Sequence, residues 1–400
     1  SRILAGTPIT TRPDAVWSLP HLQYLMCNGC ALEALSPAIG NATALQILHL
    51  DGGEGNQITA LPEEIANLTN LNQLSIMNMP LAALPAGIGN LTNLQWLTIT
   101  DSHIAELPPA IGQLTLLGEL IIASDSLTTI PPEVGQLQNL TMLSISGDNI
   151  PAAIGTLSNL SSLTISGSGR VVVPPEIGQL QFLNDLTLKG KEIVVPPEIG
   201  QLQNLFALYF LGADSLVIPE EIGQLNSLSE LIIAEGGLTE VPAVVWQLTN
   251  LQTLNLDSNQ LTTLPPEIGQ LTNLTRLVLD RNELTELPPV WQLASLQYLS
   301  VGSNQLTTIP PEIGQLTNLI ELRLDANRLE TLPPEMGQLE NLELLDLYLN
   351  RLSEAPEFLL ALSERRNFSV NLVSNAFEVD PPTTSLSGEG LRQYIAELQG

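Results

Sequence analysis

The sequence predicts an α/β solenoid with parallel strands on a concave face and short helical or 3₁₀ turns on a convex face. One observation behind this prediction is the phrase PPEIGQL, which begins at Pro174, Pro196, Pro265 and Pro310. The other is a row of leucines that mostly recur every 23 residues. A fixed period of this kind is typical of stacked coils, because one coil alone cannot bury its apolar side chains.

A strand opens each coil. In LTRLVL, Leu277 and Leu279 alternate with Arg276 and Val278, so the leucines are expected to point inward and their neighbours outward. Asn282 follows where the chain must turn, and its amide is expected to bond the backbone of adjacent coils. The pattern predicts one short, half-buried strand per coil.

A short turn closes each coil on the opposite side. The prolines of PPEIGQL favour the start of a helical or 3₁₀ segment, and Glu267 lies near its positive N-terminal end. Ile268 and Leu271 stand three residues apart and are expected to point inward.

The repeats divide the chain into a partial N-terminal repeat over residues 1–21, an array of about sixteen units over 22–377, and a C-terminal capping segment over 378–400. In the last part, an apolar stripe at helical spacing predicts a short helix that covers the final coil. The first position of successive units is occupied by Leu22, Leu45, Leu71, Leu94, Leu117, Leu140, Leu160, Leu183, Leu205, Leu228, Leu251, Leu274, Leu296, Leu319, Leu342 and Asn367.

Because L-x-x-L-x-L-x-x-N-x-L returns at this period, the chain resembles the leucine-rich repeat family from about Ile9 to Phe377. The resemblance implies a horseshoe. The repeats are similar to the Ras-group class, which includes bacterial Roco proteins. The tail phrase EVDPPTTSLSGEGLRQYIAELQG also resembles the junction before the GTPase domain of Roco proteins, although no G-x-x-x-x-G-K-[S/T] motif occurs in this sequence.

The chain has a formal net charge of −29, and 44% of its residues are hydrophobic while 4% are aromatic. These values predict a core of aliphatic layers in one continuous array. Because neither half contains a basic stripe, neither nucleic acid nor a membrane surface is an expected partner.

Only two cysteines occur, in CNGC from Cys27 to Cys30, and this scarcity favours a reducing, cytoplasmic setting. They are interpreted as buried structural cysteines rather than as a redox or zinc site, because Cys27 falls on an inward position. The sequence begins inside a repeat, so it leaves open whether a signal peptide precedes it. The scattered histidines form no ligand cluster or catalytic set, so we expect no catalytic residue, no metal and no cofactor.

Asparagine occupies the ninth position of repeats 11 to 16 without interruption, whereas most earlier repeats hold another residue there. The early repeats have either been remodelled for recognition or decayed, and their intact leucines favour remodelling. The late asparagines are Asn259, Asn282, Asn304, Asn327, Asn350 and Asn375.

Partner binding is expected on the concave strands, whose outward side chains are free to vary. There Trp96, Ile121 and Met142 form one apolar neighbourhood, and exposed aromatic residues of this kind anchor protein interfaces. The alternative is that isolated apolar side chains are normal on any surface. The candidate partner-binding residues are Tyr24, His49, Trp96, Ile121, Met142, Phe206, Tyr209 and Ile232.

A second candidate is a mixed charged surface around Arg276, Tyr298 and Arg323. Arginines there could select a partner segment through bidentate contacts, although such patterns are more often solvated and self-compensating.

Two functions of different class remain. The first is a non-catalytic scaffold that binds a protein or peptide, as the regulatory region of a larger intracellular signalling protein of Roco-like type. The alternative is a secreted effector or surface adhesin that recognises a host or cell-surface protein. The sequence leaves open the identity of the partner and the oligomeric state.

Overall fold

A computed structural model describes residues 2–5, 16–28, 32–53, 57–378, 381 and 385–399 of the chain. It confirms the predicted α/β solenoid, with parallel strands on one side of each coil and 3₁₀ turns on the other. Two compact units are distinguished. Unit 1 comprises Ser1–Leu205 and Leu216–Glu221, and unit 2 comprises Phe206–Ser215 and Ile222–Gly400.

Unit 1 contains nine described strands of one sheet, and neighbouring strands pair in parallel. They are β1 Arg2–Ala5, β2 Tyr24–Asn28, β3 Ile47–Asp51, β4 Gln73–Met77, β5 Trp96–Ser102, β6 Glu119–Ser124, β7 Met142–Ser146, β8 Ser162–Ser166 and β10 Asp185–Lys189. A second, three-stranded sheet consists of β9 Arg170–Val172, β11 Glu192–Val194 and β13 Ser215–Val217.

Unit 2 contains eight described parallel strands and two α-helices. The strands are β12 Ala207–Leu211, β14 Glu230–Ala234, β15 Thr253–Asn255, β16 Arg276–Val278, β17 Tyr298–Ser300, β18 Glu321–Arg323, β19 Leu344–Asp346 and β20 Ser369–Asn371. The helices are α1 Phe358–Ser363 and α2 Gly388–Gln399.

The returning half of most coils is a five-residue 3₁₀ turn, and proline precedes or begins it, as predicted. Glycine inside the turn lets neighbouring turns stack closely, because a Cβ atom at Gly112 or Gly314 would lie 2.7 Å from the backbone oxygen of the next turn. The turns are Pro37–Asn41, Glu63–Asn67, Ala86–Asn90, Pro109–Gln113, Pro132–Gln136, Ala152–Thr156, Pro175–Gln179, Pro197–Gln201, Glu220–Gln224, Ala243–Gln247, Pro266–Gln270, Pro311–Gln315 and Pro334–Gln338.

The core consists of the leucine layers that the repeat predicts. Leu277 and Leu279 are fully buried, whereas Arg276, next to Leu277 in the same strand, is exposed. The last repeat differs from the prediction, since Asn367 is exposed and Phe368 is buried in its place. The return before it runs through α1 instead of a 3₁₀ turn, but the strand keeps the predicted register, because Val370 pairs with Leu345.

The predicted asparagine ladder is present throughout repeats 11 to 16. The amide of Asn304 donates to the backbone oxygens of Leu279 at 2.9 Å and Val301 at 3.1 Å, and its oxygen accepts from the N–H of Leu284 at 3.0 Å. Equivalent bonds are made by Asn259, Asn282, Asn327, Asn350 and Asn375. Each amide thus pairs buried backbone groups of two coils.

In unit 1 other hydrogen bonds join neighbouring coils. The strands β9 and β11 pair Val171 with Ile193, and the N–H of Val173 donates to the oxygen of Val194 at 3.0 Å. Farther toward the N-terminus, the Ser124 hydroxyl donates to the oxygen of Ile104 at 2.8 Å. Backbone pairing and serine hydroxyls thus join coils in the early repeats, and their remodelling for recognition stays a prediction.

A second asparagine ladder, which the sequence analysis did not predict, occurs in both units. Its residues stand immediately before the first leucine of a repeat and donate to a backbone oxygen of the preceding coil, as Asn139 does to Thr115 at 2.7 Å and Asn273 to Thr249 at 2.9 Å. The ladder comprises Asn70, Asn93, Asn139, Asn159, Asn204, Asn250, Asn273, Asn318 and Asn341.

The helix α2 covers apolar surface at the end of unit 2. Leu391, Tyr394 and Ile395 are buried, while Leu398 is half-buried. The ring of Tyr394 meets that of Phe377 edge to face, with centroids 6.1 Å apart. These contacts match the capping role that the apolar stripe predicts. Across the described residues, no helix has the length and apolar character needed to cross a membrane.

Candidate partner-binding surface

The outward side chains of the parallel strands form what we call the strand face of each unit. Because side chains alternate along a strand, positions three and five of each repeat lie on this face while the leucines point inward. In β5, for example, Trp96 and Thr98 alternate with the buried Leu97 and Ile99. The predicted site residues occupy positions three or five and lie on the strand face, except Phe206, which is at position two and precedes β12.

Within unit 1, the structure brings together the predicted apolar neighbourhood. Trp96, Glu119 and Met142 stand opposite one another on the consecutive strands β5, β6 and β7. Trp96 is 41% exposed and Met142 is 39% exposed, and Ile121 is half-buried two residues after Glu119. Strands lie about 4.8 Å apart, so the outer two side chains are roughly 10 Å apart at the backbone. We call these four residues the Trp96 patch.

Tyr24 and His49 lie on the same face but apart from the Trp96 patch. Tyr24 is exposed at the start of β2, three strands from Trp96. His49 lies in β3, is half-buried, and its Nε2 atom is enclosed without a hydrogen-bond partner among the described residues. Neither residue shares the surroundings of Trp96.

In unit 2, Phe206 is 51% exposed, and Tyr209 and Ile232 stand opposite each other in β12 and β14. Both of these paired side chains are half-buried. Beside Phe206 a shallow groove of about 650 Å³ runs along the starts of the strands, and serine, threonine, asparagine and glutamine side chains line the rest of it. The second predicted apolar neighbourhood is therefore smaller and more polar than the first.

The charged candidate is a set of contacts within unit 2. The guanidinium carbon of Arg276 lies 3.5 Å from the ring centroid of Tyr298, and that of Arg323 lies 5.8 Å from it. Arg323 donates to Glu321 at 2.5 Å. Desolvation lowers the pKa of Arg323, but this hydrogen bond and nearby acidic groups outweigh it and leave the pKa above its usual value. The three predicted residues are brought together, and the charge of Arg323 is compensated by Glu321.

Carboxylates gather beside this cluster around Gly302, which has no side chain. Asp280 accepts hydrogen bonds from the Ser300 hydroxyl and from the Gly302 N–H, each at 2.6 Å. Burial raises the pKa of Asp280 despite these bonds. Burial, then the charges of Asp346 and Asp280, raise the pKa of Asp325. In this part of the strand face, burial and neighbouring carboxylates disfavour the charged form of Asp280 and Asp325.

Several exposed apolar residues were missed, and two of them share a repeat position. Leu116 is 48% exposed and Phe182 is 63% exposed, and both occupy the place that ladder asparagines fill in other repeats. The sequence contained a signal for both residues, because each is apolar at a repeat position where other repeats have asparagine. Both lie beside the strand starts of unit 1.

The cysteine interpretation needs a correction. Cys27 is buried, as predicted, but it is disulfide-bonded. Cys30 is the other cysteine of the chain and lies outside the described residues. Within the part of the chain that the structure describes, no three histidine, cysteine, aspartate or glutamate side chains are grouped to hold a metal ion.

Family models match most of the chain. A model described as a leucine-rich repeat region matches residues 10–101 and 88–171, one described as a leucine-rich repeat matches 226–284, and one for two copies of the repeat matches 294–335. No curated protein matches the chain significantly.

Several solved structures are similar to the chain. A leucine-rich repeat protein of Leptospira interrogans is 33% identical with a TM-score of 0.71, over 92% of this chain and 100% of that one. The plant peptide hormone receptor RGFR1, solved in complex with RGF2, is 25% identical with a TM-score of 0.50, over 91% and 73%. The functional domain of InlJ from Listeria monocytogenes, 22% identical with a TM-score of 0.62 over 87% and 72%, is similar in fold.

Proposed function

Since this chain belongs to the leucine-rich repeat family, whose members act as interaction scaffolds, we propose that it is a non-catalytic scaffold that binds a protein or peptide on its strand face. The observation that carries the proposal is the Trp96 patch, in which exposed Trp96 and Met142 flank Glu119 on adjacent strands. Large exposed side chains of these types are the usual anchors of protein interfaces. The complex of RGFR1 with RGF2 supports a peptide as one class of partner.

Substitution of the anchor tests this proposal. Trp96→Ala is expected to abolish capture of a native partner without lowering the melting temperature, because the ring is partly exposed and an interface anchor typically contributes at least about 2 kcal/mol. The matched control is Glu133→Ala, in the 3₁₀ turn on the opposite side of unit 1. If Trp96→Ala retains the partner while Arg276→Ala or Arg323→Ala loses it, the binding surface lies in unit 2 instead.

The cellular setting is a separate proposal with two forms. The terminal segment with α2 supports a Roco-like regulatory region, with the array over 22–377 and a capping segment over 378–400. The disulfide at Cys27 favours the second form, a secreted effector or adhesin, because disulfides persist mainly outside reducing compartments. Thiol labelling after rapid acid quenching of producing cells separates the two. A labelled, reduced Cys27 supports the cytoplasmic form, and an unlabelled one supports the secreted form.

A further inference from the structure

An aromatic residue followed by glutamate on the next strand occurs at the same repeat position in both units. In unit 2 the pair is Tyr298 and Glu321, on β17 and β18. In unit 1 it is Trp96 and Glu119, on β5 and β6. The backbone register of the two pairs is the same, so the side chains that surround them can be compared position by position.

The unit 2 pair already holds two guanidinium groups of its own chain. Arg276, on the strand before Tyr298, stacks over the ring at 3.5 Å. Arg323, two residues after Glu321, binds its carboxylate at 2.5 Å and lies 5.8 Å from the ring. The electron-rich face of an aromatic ring and an adjacent carboxylate together attract a planar cation.

The unit 1 pair likewise consists of an aromatic ring and a carboxylate, but no cation of the described residues contacts it. Gln73 stands where Arg276 does, and Ile121 stands where Arg323 does. No side-chain hydrogen bond or ion pair of Glu119 is present among the described residues. The surrounding sequence adds no compensation, because no lysine or arginine occurs between Arg12 and Arg170, whereas that interval contains twelve aspartates and glutamates.

We propose that the pair of Trp96 and Glu119 binds an arginine side chain of the partner, in the way that Arg276 and Arg323 occupy the equivalent pair in unit 2. This inference rests on the proposed interaction function and specifies its ligand as a cationic protein segment. The guanidinium stacks on the exposed ring of Trp96 and pairs with the carboxylate of Glu119, while its aliphatic stem packs on Ile121 and Met142. Arginine suits this arrangement better than lysine, because its flat guanidinium both stacks and forms paired hydrogen bonds.

The probe is a hexapeptide of alternating glycine and arginine, titrated against the full chain at low salt. Saturable binding of one peptide is expected, and it should weaken as salt is raised because the charges are exposed. The same peptide with citrulline for arginine keeps the shape but loses the charge, and it should bind at least about fivefold more weakly. Equal binding of the two peptides would overturn the proposal.

Variants then locate the site. Glu119→Gln should weaken the arginine peptide by roughly two- to fivefold and Trp96→Leu by a similar factor, as exposed ion pairs and cation–π contacts do. The control, Glu106→Gln, changes the same charge away from the pair and should leave binding unchanged. If Glu119→Gln leaves binding intact, the proposal is contradicted. Because glutamine is nearly isosteric with glutamate, this variant is expected to keep the fold, so a loss of binding is not explained by misfolding.

Exchange of residues between units gives the sharpest test. Gln73→Arg with Ile121→Arg supplies unit 1 with its own cations and should abolish peptide binding. Arg276→Gln with Arg323→Ile empties the unit 2 pair and should raise the stoichiometry from one peptide to two. Should the arginine peptide fail to bind while Trp96→Ala still abolishes partner capture, the scaffold function stands and the cationic class of ligand is wrong.

Discussion

Unit 1 and unit 2 have the same leucine layers but pair the buried backbone between coils by different means. In unit 2 the asparagine ladder does so, as Asn304 illustrates with contacts to two coils. In unit 1 a short second sheet and serine hydroxyls join coils through other backbone groups, such as the N–H of Val173 and the oxygen of Ile104. A solenoid requires hydrogen-bond partners for its buried backbone groups. An asparagine at a fixed position is one of several ways to supply them.

The strand faces differ in the opposite sense. In unit 2, which has the regular asparagine ladder, the half-buried ring of Tyr298 is covered by arginines of its own chain. In unit 1, which has the less regular repeats, no arginine or lysine of the described residues contacts Trp96 or Glu119. This difference is the reason why we propose the partner site in unit 1.

The largest expected effect tests what the units share. Leu277→Ala in unit 2 and Leu163→Ala in unit 1 each remove a buried strand leucine and should cost about 2–5 kcal/mol in urea unfolding. Arg276→Ala, beside Leu277 but outward, should cost under about 1 kcal/mol, since it loses mainly the contact with Tyr298. Equal losses for Leu277 and Arg276 would mean that the inward register is wrong.

The next effect tests where the units differ. Asn304→Ala should cost about 1–3 kcal/mol, because buried backbone groups of two coils lose their partner. Ser168 holds the corresponding repeat position in unit 1 and is exposed, so Ser168→Ala should change the unfolding free energy very little. A comparable loss from both substitutions would show that the two frames depend equally on this position.

A smaller effect, of opposite sign, concerns the backbone. Position eight of every repeat from 10 to 16 has a positive φ although none is glycine, as at Ser303, where φ is 54°. Ser303→Gly should therefore stabilise the protein by about 1 kcal/mol. In unit 1, Ser162→Gly places glycine in the regular strand β8 and should destabilise it by about 0.5–1 kcal/mol. If the melting temperatures of the two variants shift in the same direction, the left-handed backbone conformation at Ser303 is contradicted.

The smallest effect is pH-dependent and belongs to unit 2. Because the pKa of Asp325 is raised in the folded state, folding binds protons, and stability falls as pH rises from the unfolded pKa to the raised one. Asp325→Asn should thus be more stable than the parent at pH 7, by less than about 1 kcal/mol because the group is half-exposed. The advantage should disappear below about pH 3, where the aspartate is protonated as well. An advantage that is independent of pH would exclude the electrostatic cause.

The sequence predicts those features that depend on the same residue type recurring at the same repeat position. It predicts the inward leucines, the asparagine ladder and the adjacency of Trp96, Ile121 and Met142, because all follow from counting positions. The left-handed backbone at position eight was missed because its occupants, such as Ser303, Arg281 and Leu349, share no chemical type. Asn367 holds the predicted first position of the last repeat, but the next residue, Phe368, is the one that is buried there.

Contacts across space were harder to predict than positions. The stacking of Arg276 on Tyr298 depends on side-chain orientations that a repeat count does not specify. The second asparagine ladder and the second sheet left traces in the sequence, but each trace is also compatible with ordinary turn composition. Likewise, the close approach of Asp325 to the backbone at Gly302 depends on the missing side chain there, since a Cβ atom would lie 2.6 Å from the Asp325 carboxylate.

Both asparagine ladders have a consequence for how the chain reaches its structure. Their bonds join residues only 20 to 28 positions apart in a chain of 400, so each coil needs only its immediate neighbours in order to form. Little loop-closure entropy is lost at any single step, and growth can begin at a stable coil and advance one coil at a time. In kinetic terms, the length of the molecule adds further steps to folding but does not raise the barrier of any one step.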